Sequence, residues 1–334
     1  MVVRVAINGF GRIGRSVFKA GIRDKRIQFV AINDLSDTKT LAYLMKYDSV
    51  YGRFDGSIQA KEHSLVVNGK NIQVLSERDP EKLPWKRLKI DVVVESTGIF
   101  REKKDMFKHL TAGAKRVILS APSEGCDCTI VLGVNEEKLR KEHTIISMAS
   151  CTTNCLAPLV KVLDDHFKVE QGFMNTVHAY TSSQSLVDGP ARKLRRGRSA
   201  ALSIIPTTSG ATEATILALP HLKGKMDGLA LRVPVACGSI VDFTAVVKKN
   251  VSVERVNAAF KKATQGKMKG ILGYTEDEIV SRDIVGQTYS SLIDGKSTQV
   301  IGNHFVKVLS WYDNEWGYST RVVDLIRFLG KFKR

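Results

Sequence analysis

Short apolar runs alternate with amphipathic segments through the first half of the chain. The apolar runs lie at residues 2–8, 28–34, 89–98, 115–122 and 144–149, and helical periodicity marks residues 11–23 and 101–110. Strands that are apolar on both faces and alternate with helices are typical of a parallel sheet covered on both sides. The pattern therefore predicts a doubly wound α/β domain over residues 1–150.

After about residue 165 the pattern changes. Strand-like runs at 172–180, 228–234, 239–248 and 304–312 have longer connections, and helical patterns lie at 210–219, 253–264 and 318–330. This mixture predicts an α+β second domain. No linker rich in Pro or Gly separates the two halves, so the change of pattern places the boundary close to Cys151.

Composition narrows the class of protein. The 334 residues suffice for two domains. No apolar stretch of about 18 residues and no secretory signal are found, so we expect no membrane partner. Five cysteines, an odd number, favour a reducing, cytoplasmic setting over a disulfide framework. The 51 basic and 34 acidic residues give a net charge of +17, which favours anionic ligands, either phosphorylated metabolites or nucleic acid.

A glycine-rich turn follows the first predicted strand. Gly9, Gly11 and Gly14 have the spacing that lets a backbone approach a pyrophosphate at a helix N-terminus. Asp34 follows the second strand, where a carboxylate accepts hydrogen bonds from ribose hydroxyls and repels a 2′-phosphate. The loop thus predicts NAD rather than NADP. The alternative is a chance glycine turn with a capping Asp.

Cys151 stands between an apolar strand and an apolar helix. A cysteine at a helix N-terminus has a lowered pKa, which makes it a candidate nucleophile; a buried structural cysteine is the alternative. Cys155, one turn further along the helix, is expected to be packed in the core. Cys126 and Cys128 have no second ligand pair at a matching spacing, so no metal site is predicted.

A thiolate nucleophile requires a proton-transfer partner, and His178 is the candidate because it lies in an apolar strand before a hydroxyl-rich loop. A half-buried histidine with its hydrogen bonds satisfied is the alternative. The other six histidines stand in charged or loop contexts and are predicted to lie at the surface: His63, His109, His143, His166, His221 and His304.

Anion-binding features gather in the second half. Residues 207–210 precede a helix, as a phosphate-binding nest does. Arg232 sits inside an apolar strand and requires either an anionic ligand or an internal ion pair. The basic segment 192–198 lacks interleaved aromatic residues, which favours a loop near a substrate or a subunit interface over nucleic-acid binding.

These residues together resemble the bacterial-type, phosphorylating glyceraldehyde-3-phosphate dehydrogenase family. The resemblance runs through the whole chain and is carried by residues 7–15, 96–98, 149–155, 206–211 and 311–318. It implies a Rossmann domain at 1–150 completed by a C-terminal helix at 315–334. It also implies an α+β catalytic domain at 151–314 with a mostly antiparallel sheet, and assembly as a homotetramer through the 180–205 loop.

The resemblance implies specific roles. Cys151 would attack the aldehyde of glyceraldehyde 3-phosphate, and His178 would act as base for that step and for hydride transfer to NAD. Inorganic phosphate would then cleave the thioester. NAD binding is implied for Gly9, Gly11, Arg12, Ile13, Gly14, Asp34, Arg78, Thr97, Ser120 and Asn314. One anion site is implied at Thr181 and Arg232, the other at Ser150, Thr152, Ser209 and Gly210, with Arg198 near the substrate.

Two alternatives stay open. An erythrose-4-phosphate dehydrogenase is a relative without efficient phosphate attack, and it tends to lose the segment kept here at residues 207–210. A basic nucleic-acid-binding protein is the second alternative; it would bind tightly with little sequence preference, and binding would weaken steeply with salt.

Overall fold

A computed structural model describes residues 2–333, and the chain forms two compact units. The first contains the residues up to Ile130, Glu137–Ala149 and the residues from Ser319 onward. The second contains Val131–Glu136 and Ser150–Tyr318. Among residues 2–333 no helix combines the length and apolar character required to cross a membrane.

The first unit is built on one twisted sheet with helices between its strands. Its strands are β1 (Val3–Asn8), β2 (Ile27–Asn33), β3 (Tyr47–Asp48), β4 (Gly52–Arg53), β5 (Ile58–Lys61), β6 (Ser64–Val67), β7 (Lys70–Leu75), β8 (Val92–Glu95), β9 (Arg116–Leu119), β10 (Cys128–Thr129) and β11 (Ile145–Ser147). Its helices include α1 (Arg12–Gly21), α2 (Thr38–Lys46) and α3 (Lys103–Thr111).

Strand order explains where a ligand can bind. The described residues form a nine-stranded sheet in the order β10-β11-β9-β8-β1-β2-β7-β6-β5, and β3 and β4 pair separately. The pairs from β10 to β7 are parallel, whereas β7-β6 and β6-β5 are antiparallel. The order reverses between β1 and its two neighbours β8 and β2, which opens a crevice at the carboxyl ends of these strands.

The second unit contains α4 (Cys151–Phe167), β12 (Val169–Ala179), β13 (Ile205–Thr208), α5 (Ala211–Ala218), β14 (Met226–Val233), β15 (Ser239–Val247), α6 (Val253–Gln265), β16 (Leu272–Thr275), β17 (Ser291–Ile301), β18 (Phe305–Tyr312) and the start of α7 (Trp316–Leu329). Its sheet has the order β13-β14-β12-β15-β18-β17-β16, and its pairs are antiparallel except β12-β14 and β16-β17. Helix α4 is buried along most of its length against this sheet.

The last part of α7 packs in the first unit. Val323 lies against α1, so close that a Cβ on Gly21 would be 3.3 Å from its side chain. Arg327 Nε donates to Asp24 Oδ2 at 2.5 Å, which ties the helix to the turn before β2. The predicted fold class, a doubly wound α/β domain with an α+β domain whose sheet is mostly antiparallel, is confirmed.

One region had no sequence prediction. Between residues 35 and 88 the structure contains α2 and the strands β3–β7. The antiparallel strand β5 alternates half-buried and exposed residues, so it lacks the continuous apolar run that reveals the inner strands. The strands β10, β13, β16 and β17 also had no sequence prediction, and the other differences are shifts of one to a few residues at the ends of elements.

Candidate active site

Cys151 is the first residue of α4 and is half-buried. Ser150 precedes it as the helix cap, and the Ser150 hydroxyl accepts a hydrogen bond from the Thr153 amide at 3.0 Å. The next residue upstream, Ala149, has a φ of +54°, a left-handed conformation that is costly for a residue other than glycine. The turn after β11 therefore places the sulfur at a helix start, where backbone N–H groups favour negative charge.

His178 lies near the end of β12 with 3% of its surface exposed. Its Nε2 atom is 3.4 Å from Cys151 Sγ, although 27 residues separate the two along the chain. Arg232 on β14 is directly opposite His178 in the parallel register. The sheet therefore brings the predicted nucleophile, the predicted base and the predicted anion-binding arginine to one place.

The two ring nitrogens of His178 have different neighbours. Nδ1 is 2.6 Å from the Ala179 carbonyl oxygen and 2.8 Å from Arg232 Nη1, and Nη1 also donates to that carbonyl at 2.9 Å. The Ala179 carbonyl can only accept and favours a proton on Nδ1, whereas Arg232 Nη1 can only donate and favours a lone pair there; the role of base proposed below uses the tautomer that is protonated on Nδ1. Nε2 then presents its lone pair to the sulfur of Cys151.

Burial is the largest cause of the pKa shifts of Cys151 and His178. Burial raises the pKa of the Cys151 thiol, and the charge of Arg232 and hydrogen bonds from Thr152 lower it only in part. Burial lowers the pKa of His178 to about 3, and the charges of Arg232 and Arg196 act in the same direction. The prediction of a thiol pKa lowered by the helix start is therefore corrected. Burial thus opposes charge on both members of the pair.

Tyr312 contacts both elements that carry the cysteine and the histidine. Its hydroxyl lies 2.9 Å from Thr152 Oγ1 and 2.8 Å from Thr176 Oγ1, and its ring packs edge-on against His178 with centroids 5.9 Å apart. These contacts fix the position of the first turn of α4 relative to β12, the strand that carries His178. Sequence reasoning singled out neither Tyr312 nor Thr176, because their role depends on contacts between distant elements.

Arg232 lacks the internal ion pair that was its alternative explanation. Among the described residues its titratable neighbours are Cys151, Tyr312 and Arg196, and its buried Nε atom has no hydrogen-bond partner. Thr181, at the loop that follows β12, is half-buried, and its hydroxyl is 2.9 Å from Ser183 Oγ. A cation in a largely enclosed setting without a carboxylate is suited to an anionic ligand.

Two residues of the basic segment 192–198 contact the predicted phosphate nest at residues 207–210. Arg198 is 68% exposed at its side chain and ion-paired with Asp188 at 2.8 Å. Arg196 is half-buried, and its Nε donates to Thr207 Oγ1 at 3.0 Å. Lys193 donates to the Thr208 hydroxyl. Arg196, rather than Arg198, therefore lies at the predicted phosphate nest.

The nest itself is the N-terminal end of α5. Gly210 precedes this helix and is exposed, and the Ser209 hydroxyl accepts a hydrogen bond from the Ala211 amide at 3.3 Å. At α4, Ser150 and Thr152 occupy the corresponding positions around Cys151. Two helix N-termini in the second unit thus carry hydroxyl side chains of the kind that bind anions.

In the first unit, a cleft of about 420 Å³ opens at the carboxyl ends of the parallel strands. Of the predicted cofactor residues, Gly9, Gly11, Asp34, Arg78 and Thr97 line it. A Cβ on Gly9 would lie 2.6 Å from the Thr97 amide nitrogen, whereas a Cβ on Gly11 would meet nothing within 4 Å. Gly9 is therefore required by the turn itself, and Gly11 leaves room for a ligand against the backbone.

Asp34 both shapes the loop and faces the cleft. Its Oδ2 accepts from the Phe10 amide at 2.8 Å, and its Oδ1 accepts from the Ser36 amide at 2.9 Å. A carboxylate oxygen has lone pairs for further donors, so these bonds are compatible with a pair of ribose hydroxyls. The cleft, its glycine turn and this carboxylate together fit a dinucleotide.

The remaining predicted cofactor residues are placed as follows. Arg12 is ion-paired with Asp48 at 2.9 Å, Ile13 is half-buried in α1, and a Cβ on Gly14 would lie 2.2 Å from the Gly9 carbonyl oxygen. Ser120 follows β9 and donates its amide to the Glu95 carbonyl. Asn314, in the second unit, is 5% exposed, and its Oδ1 accepts from the Gly238 amide and the Ser239 hydroxyl.

Comparisons with known proteins agree with this arrangement. The family model described as the glyceraldehyde 3-phosphate dehydrogenase NAD binding domain matches residues 3–103, and that of the C-terminal domain matches residues 150–314. The glyceraldehyde-3-phosphate dehydrogenase of Geobacillus stearothermophilus is 56% identical over 330 residues, covering 98% of each chain. The relative named glyceraldehyde-3-phosphate dehydrogenase 2 from Bacillus subtilis is 55% identical over 98% of this chain and 96% of its own.

The chain belongs to the glyceraldehyde-3-phosphate dehydrogenase family. The glyceraldehyde-3-phosphate dehydrogenase of Borreliella burgdorferi, 54% identical, is matched over its full length by 98% of this chain. The match therefore extends through the cleft, the cysteine helix and the histidine strand.

The prediction that His109 lies at the surface is wrong. His109 is fully buried in α3, not at the surface, because Trp85 Nε1 and Glu95 Oε2 satisfy its two ring nitrogens. The charged neighbours of His109 along the helix concealed this inward face. A useful signal was present, since residues 106, 109 and 110 share one face of the predicted helix.

The other cysteines have ordinary surroundings. Cys155 is buried in the core around α4, with Ser310 Oγ 3.4 Å from its sulfur. Burial raises the pKa of Cys126, and raises that of Cys128 to about 12. Within residues 2–333 no group of three or more His, Cys, Asp or Glu side chains could hold a metal ion.

Proposed function

We propose that this protein oxidises D-glyceraldehyde 3-phosphate with NAD and inorganic phosphate to give 1,3-bisphosphoglycerate, a step of glycolysis and gluconeogenesis. One observation carries the proposal beyond family membership. Cys151 Sγ lies 3.4 Å from a neutral His178 Nε2, next to an arginine without a carboxylate partner. A thiol nucleophile, its base and an anion-binding cation are the groups that phosphorylated-aldehyde oxidation requires.

NAD supplies the hydride acceptor of this reaction. The first unit would hold its adenosine pyrophosphate, with the Gly9–Gly14 turn at the diphosphate and Asp34 at the ribose. The carboxylate disfavours a 2′-phosphate at the same place, so NAD is the proposed cofactor rather than NADP. Arg12, Ile13, Arg78, Thr97 and Ser120 are proposed to contact the same dinucleotide, and Asn314 to fix its nicotinamide amide.

Cys151 and His178 perform the covalent steps. Nε2 accepts the thiol proton while the sulfur attacks the aldehyde carbon, and returns it to the oxygen, giving a hemithioacetal. As the hydride departs, Nε2 accepts the hydroxyl proton and a thioester forms on Cys151. Phosphate then attacks the acyl carbon, and the departing thiolate recovers the proton held by His178. The thioester keeps the oxidation energy available for acyl-phosphate formation.

Two sets of cationic and hydroxyl groups would bind the two anions. Arg232 and Thr181 are proposed for one phosphate, and Ser150, Thr152, Ser209 and Gly210 for the other. The contact between Arg196 and Thr207 supports Arg196 as a further ligand at the second set. Arg198 stays a prediction, and its ion pair with Asp188 argues for a lesser role.

We also propose an oligomeric state and a cellular location for this protein. Large apolar side chains are exposed along the 180–205 loop, where Leu186 is 75%, Leu194 85% and Leu202 85% exposed. Isolated apolar residues are common at surfaces, but such a cluster favours burial against another subunit. We propose a homotetramer assembled in part through this loop. The unpaired cysteines support a cytoplasmic location.

The test is an absorbance assay of NADH formation with glyceraldehyde 3-phosphate, run with phosphate supplied and withheld. Turnover that depends on phosphate supports the proposal. Phosphate-independent NADH formation from erythrose 4-phosphate, faster than from glyceraldehyde 3-phosphate, would instead establish the rival dehydrogenase. The retained Thr-Thr-Ser-Gly segment at residues 207–210 argues against that rival.

A further inference from the structure

A fully buried histidine lies behind the cofactor cleft. The Trp85 indole Nε1 donates to His109 Nδ1 at 3.0 Å, and His109 Nε2 is 3.1 Å from Glu95 Oε2. An indole N–H donates and never accepts, so Nδ1 must supply its lone pair. The ring proton is therefore on Nε2, and the neutral imidazole donates to the carboxylate.

Glu95 is a buried carboxylate saturated with donors. Asn8 Nδ2 donates to its Oε2 at 2.5 Å, beside His109. The Thr97 amide and hydroxyl both donate to its Oε1, at 2.8 and 2.5 Å. Within residues 2–333 these four donors replace the hydration that a buried anion loses. Thr97, which lines the cleft, is thus held by two bonds to one carboxylate.

The hydrogen bonds continue across the sheet beneath the cleft. Asn33 Nδ2 donates to Asn8 Oδ1 at 2.7 Å, and Asn33 Oδ1 accepts from the Glu77 amide at 2.9 Å. Glu95, Asn8 and Asn33 end the neighbouring strands β8, β1 and β2, and Glu77 follows β7. One connected network therefore joins Thr97 on one side of the cleft to the segment before Arg78 on the other.

We propose that His109 and Glu95 are positioning residues for the dinucleotide: they hold both walls of the cleft at the separation that the ligand requires. This proposal rests on the proposed use of NAD. It also requires that the ring proton of His109 is on Nε2, as the hydrogen bond from Trp85 to Nδ1 indicates. Neither side chain lines the cleft, so both act through Thr97, Asn8 and Asn33.

The first experiment compares three variants by calorimetric titration with NAD and by steady-state kinetics. His109→Leu removes a donor from Glu95, so Kd and KM for NAD should rise about tenfold, while kcat at saturating NAD stays within about twofold. His109→Gln can donate to Glu95 and accept from Trp85, so it should restore binding to within about threefold of wild type.

The control is Met106→Ala, which loosens the same helix from its buried side; Met106 shares a core cluster with Trp85 but supplies no donor or acceptor to the network. At a matched loss of melting temperature, it should leave the NAD affinity unchanged. If Met106→Ala weakens NAD binding as much as His109→Leu, or if His109→Leu binds NAD like wild type, the proposal is overturned.

A second variant covers the case in which His109→Leu does not fold. Glu95→Gln preserves the side-chain volume, but it replaces one carboxylate oxygen by an NH2 group, which donates and cannot accept from Asn8 or His109. His109 cannot respond by moving its proton to Nδ1, because the Trp85 indole donates to that nitrogen. NAD affinity should fall about tenfold here as well. The Trp85 indole resonance, one of three in the chain, should move in ¹⁵N–¹H spectra of His109→Leu and return in His109→Gln. An unmoved resonance would overturn the tautomer assignment.

These outcomes separate the inference from the proposed function. Failure of the wild-type protein to bind NAD would remove the proposed cofactor itself. Wild-type NAD binding that is indifferent to His109 and Glu95 would remove the positioning role and leave the cofactor in place.

Discussion

The cofactor cleft and the cysteine site both contain buried polar groups, but they differ in how completely the protein satisfies them. Beneath the cleft, Glu95 receives donors from Asn8, Thr97 and His109. At the cysteine site, the Nε of Arg232 is buried without a partner, and its titratable neighbours Cys151, Tyr312 and Arg196 include no carboxylate. The cleft is thus prepared by internal bonds, whereas the cysteine site depends on an anion to balance its cations.

The sharpest test of the cysteine site is removal of its sulfur. Cys151→Ser should lower NADH formation by at least about 1000-fold, because a hydroxyl at this place is a far weaker nucleophile. NAD binding, measured by calorimetry, should remain, since the proposed adenosine site lies in the other unit. Retained oxidation would remove Cys151 as nucleophile.

Next in size is the loss of the uncompensated cation. Arg232→Leu should reduce kcat/KM for glyceraldehyde 3-phosphate about 100-fold, equivalent to ~2.7 kcal/mol of charge-assisted binding. The matched control is Arg198→Leu, whose arginine already has Asp188 as partner, with an expected change below about threefold. Equal losses in the two variants would contradict the contrast between satisfied and unsatisfied cations.

The thiol pKa gives a third test. Because burial raises the pKa of Cys151 above its ordinary value of 9.0, alkylation by iodoacetamide should accelerate about tenfold per pH unit from pH 7 to 9. Peptide mass spectrometry would assign the modified residue. A rate that levels off below pH 7 would show that the helix start and Arg232 outweigh burial.

His178 predicts a smaller effect on stability. Its pKa is lowered from 6.5 to about 3, so between these pH values the imidazole is protonated in the unfolded chain and not in the folded chain. Its contribution to the unfolding free energy therefore falls as pH drops from 6.5 toward 3, by at most ~1.4 kcal/mol per pH unit. The difference between wild type and His178→Asn in denaturant unfolding should show this slope. A difference that is constant with pH would argue against a neutral, buried imidazole.

The smallest effect is expected at the rim of the cleft. Asp34→Ala should raise activity with NADP relative to NAD by roughly tenfold, because the repulsion toward a 2′-phosphate is removed; the Phe10 and Ser36 amides lose an acceptor in the same variant, so binding of both cofactors should weaken. The ratio of kcat/KM for the two cofactors measures this. Should NADP stay unused, another group sets the preference.

Local signals sufficed for much of the fold and for several site residues. The glycine turn, Asp34 and Cys151 each follow an apolar strand, so their places could be predicted from order along the chain. Their strands are buried along most of their length and are marked by short apolar runs. The half-exposed strand β5 escaped prediction because its alternation of burial is weak.

Other features depend on register and packing that no local pattern contains. Arg232 faces His178 because two strands pair in parallel with one particular alignment. Arg196 rather than Arg198 contacts Thr207 because of the path of one loop. His109 is hidden inside α3 despite its charged neighbours, and the pKa of Cys151 follows from enclosure by distant side chains.

Helix α7 has a consequence for biosynthesis. Its residues from Ser319 onward complete the compact unit that begins with β1, and Val323 and Arg327 contact the α1 region. A ribosome delivers the chain from its amino end, so the unit that starts first must wait for segments translated last. The second unit consists of Ser150–Tyr318 and the short upstream segment Val131–Glu136, so all of its residues are translated before the last part of the first unit. The unit that begins first along the chain is therefore the last to have all of its segments synthesised.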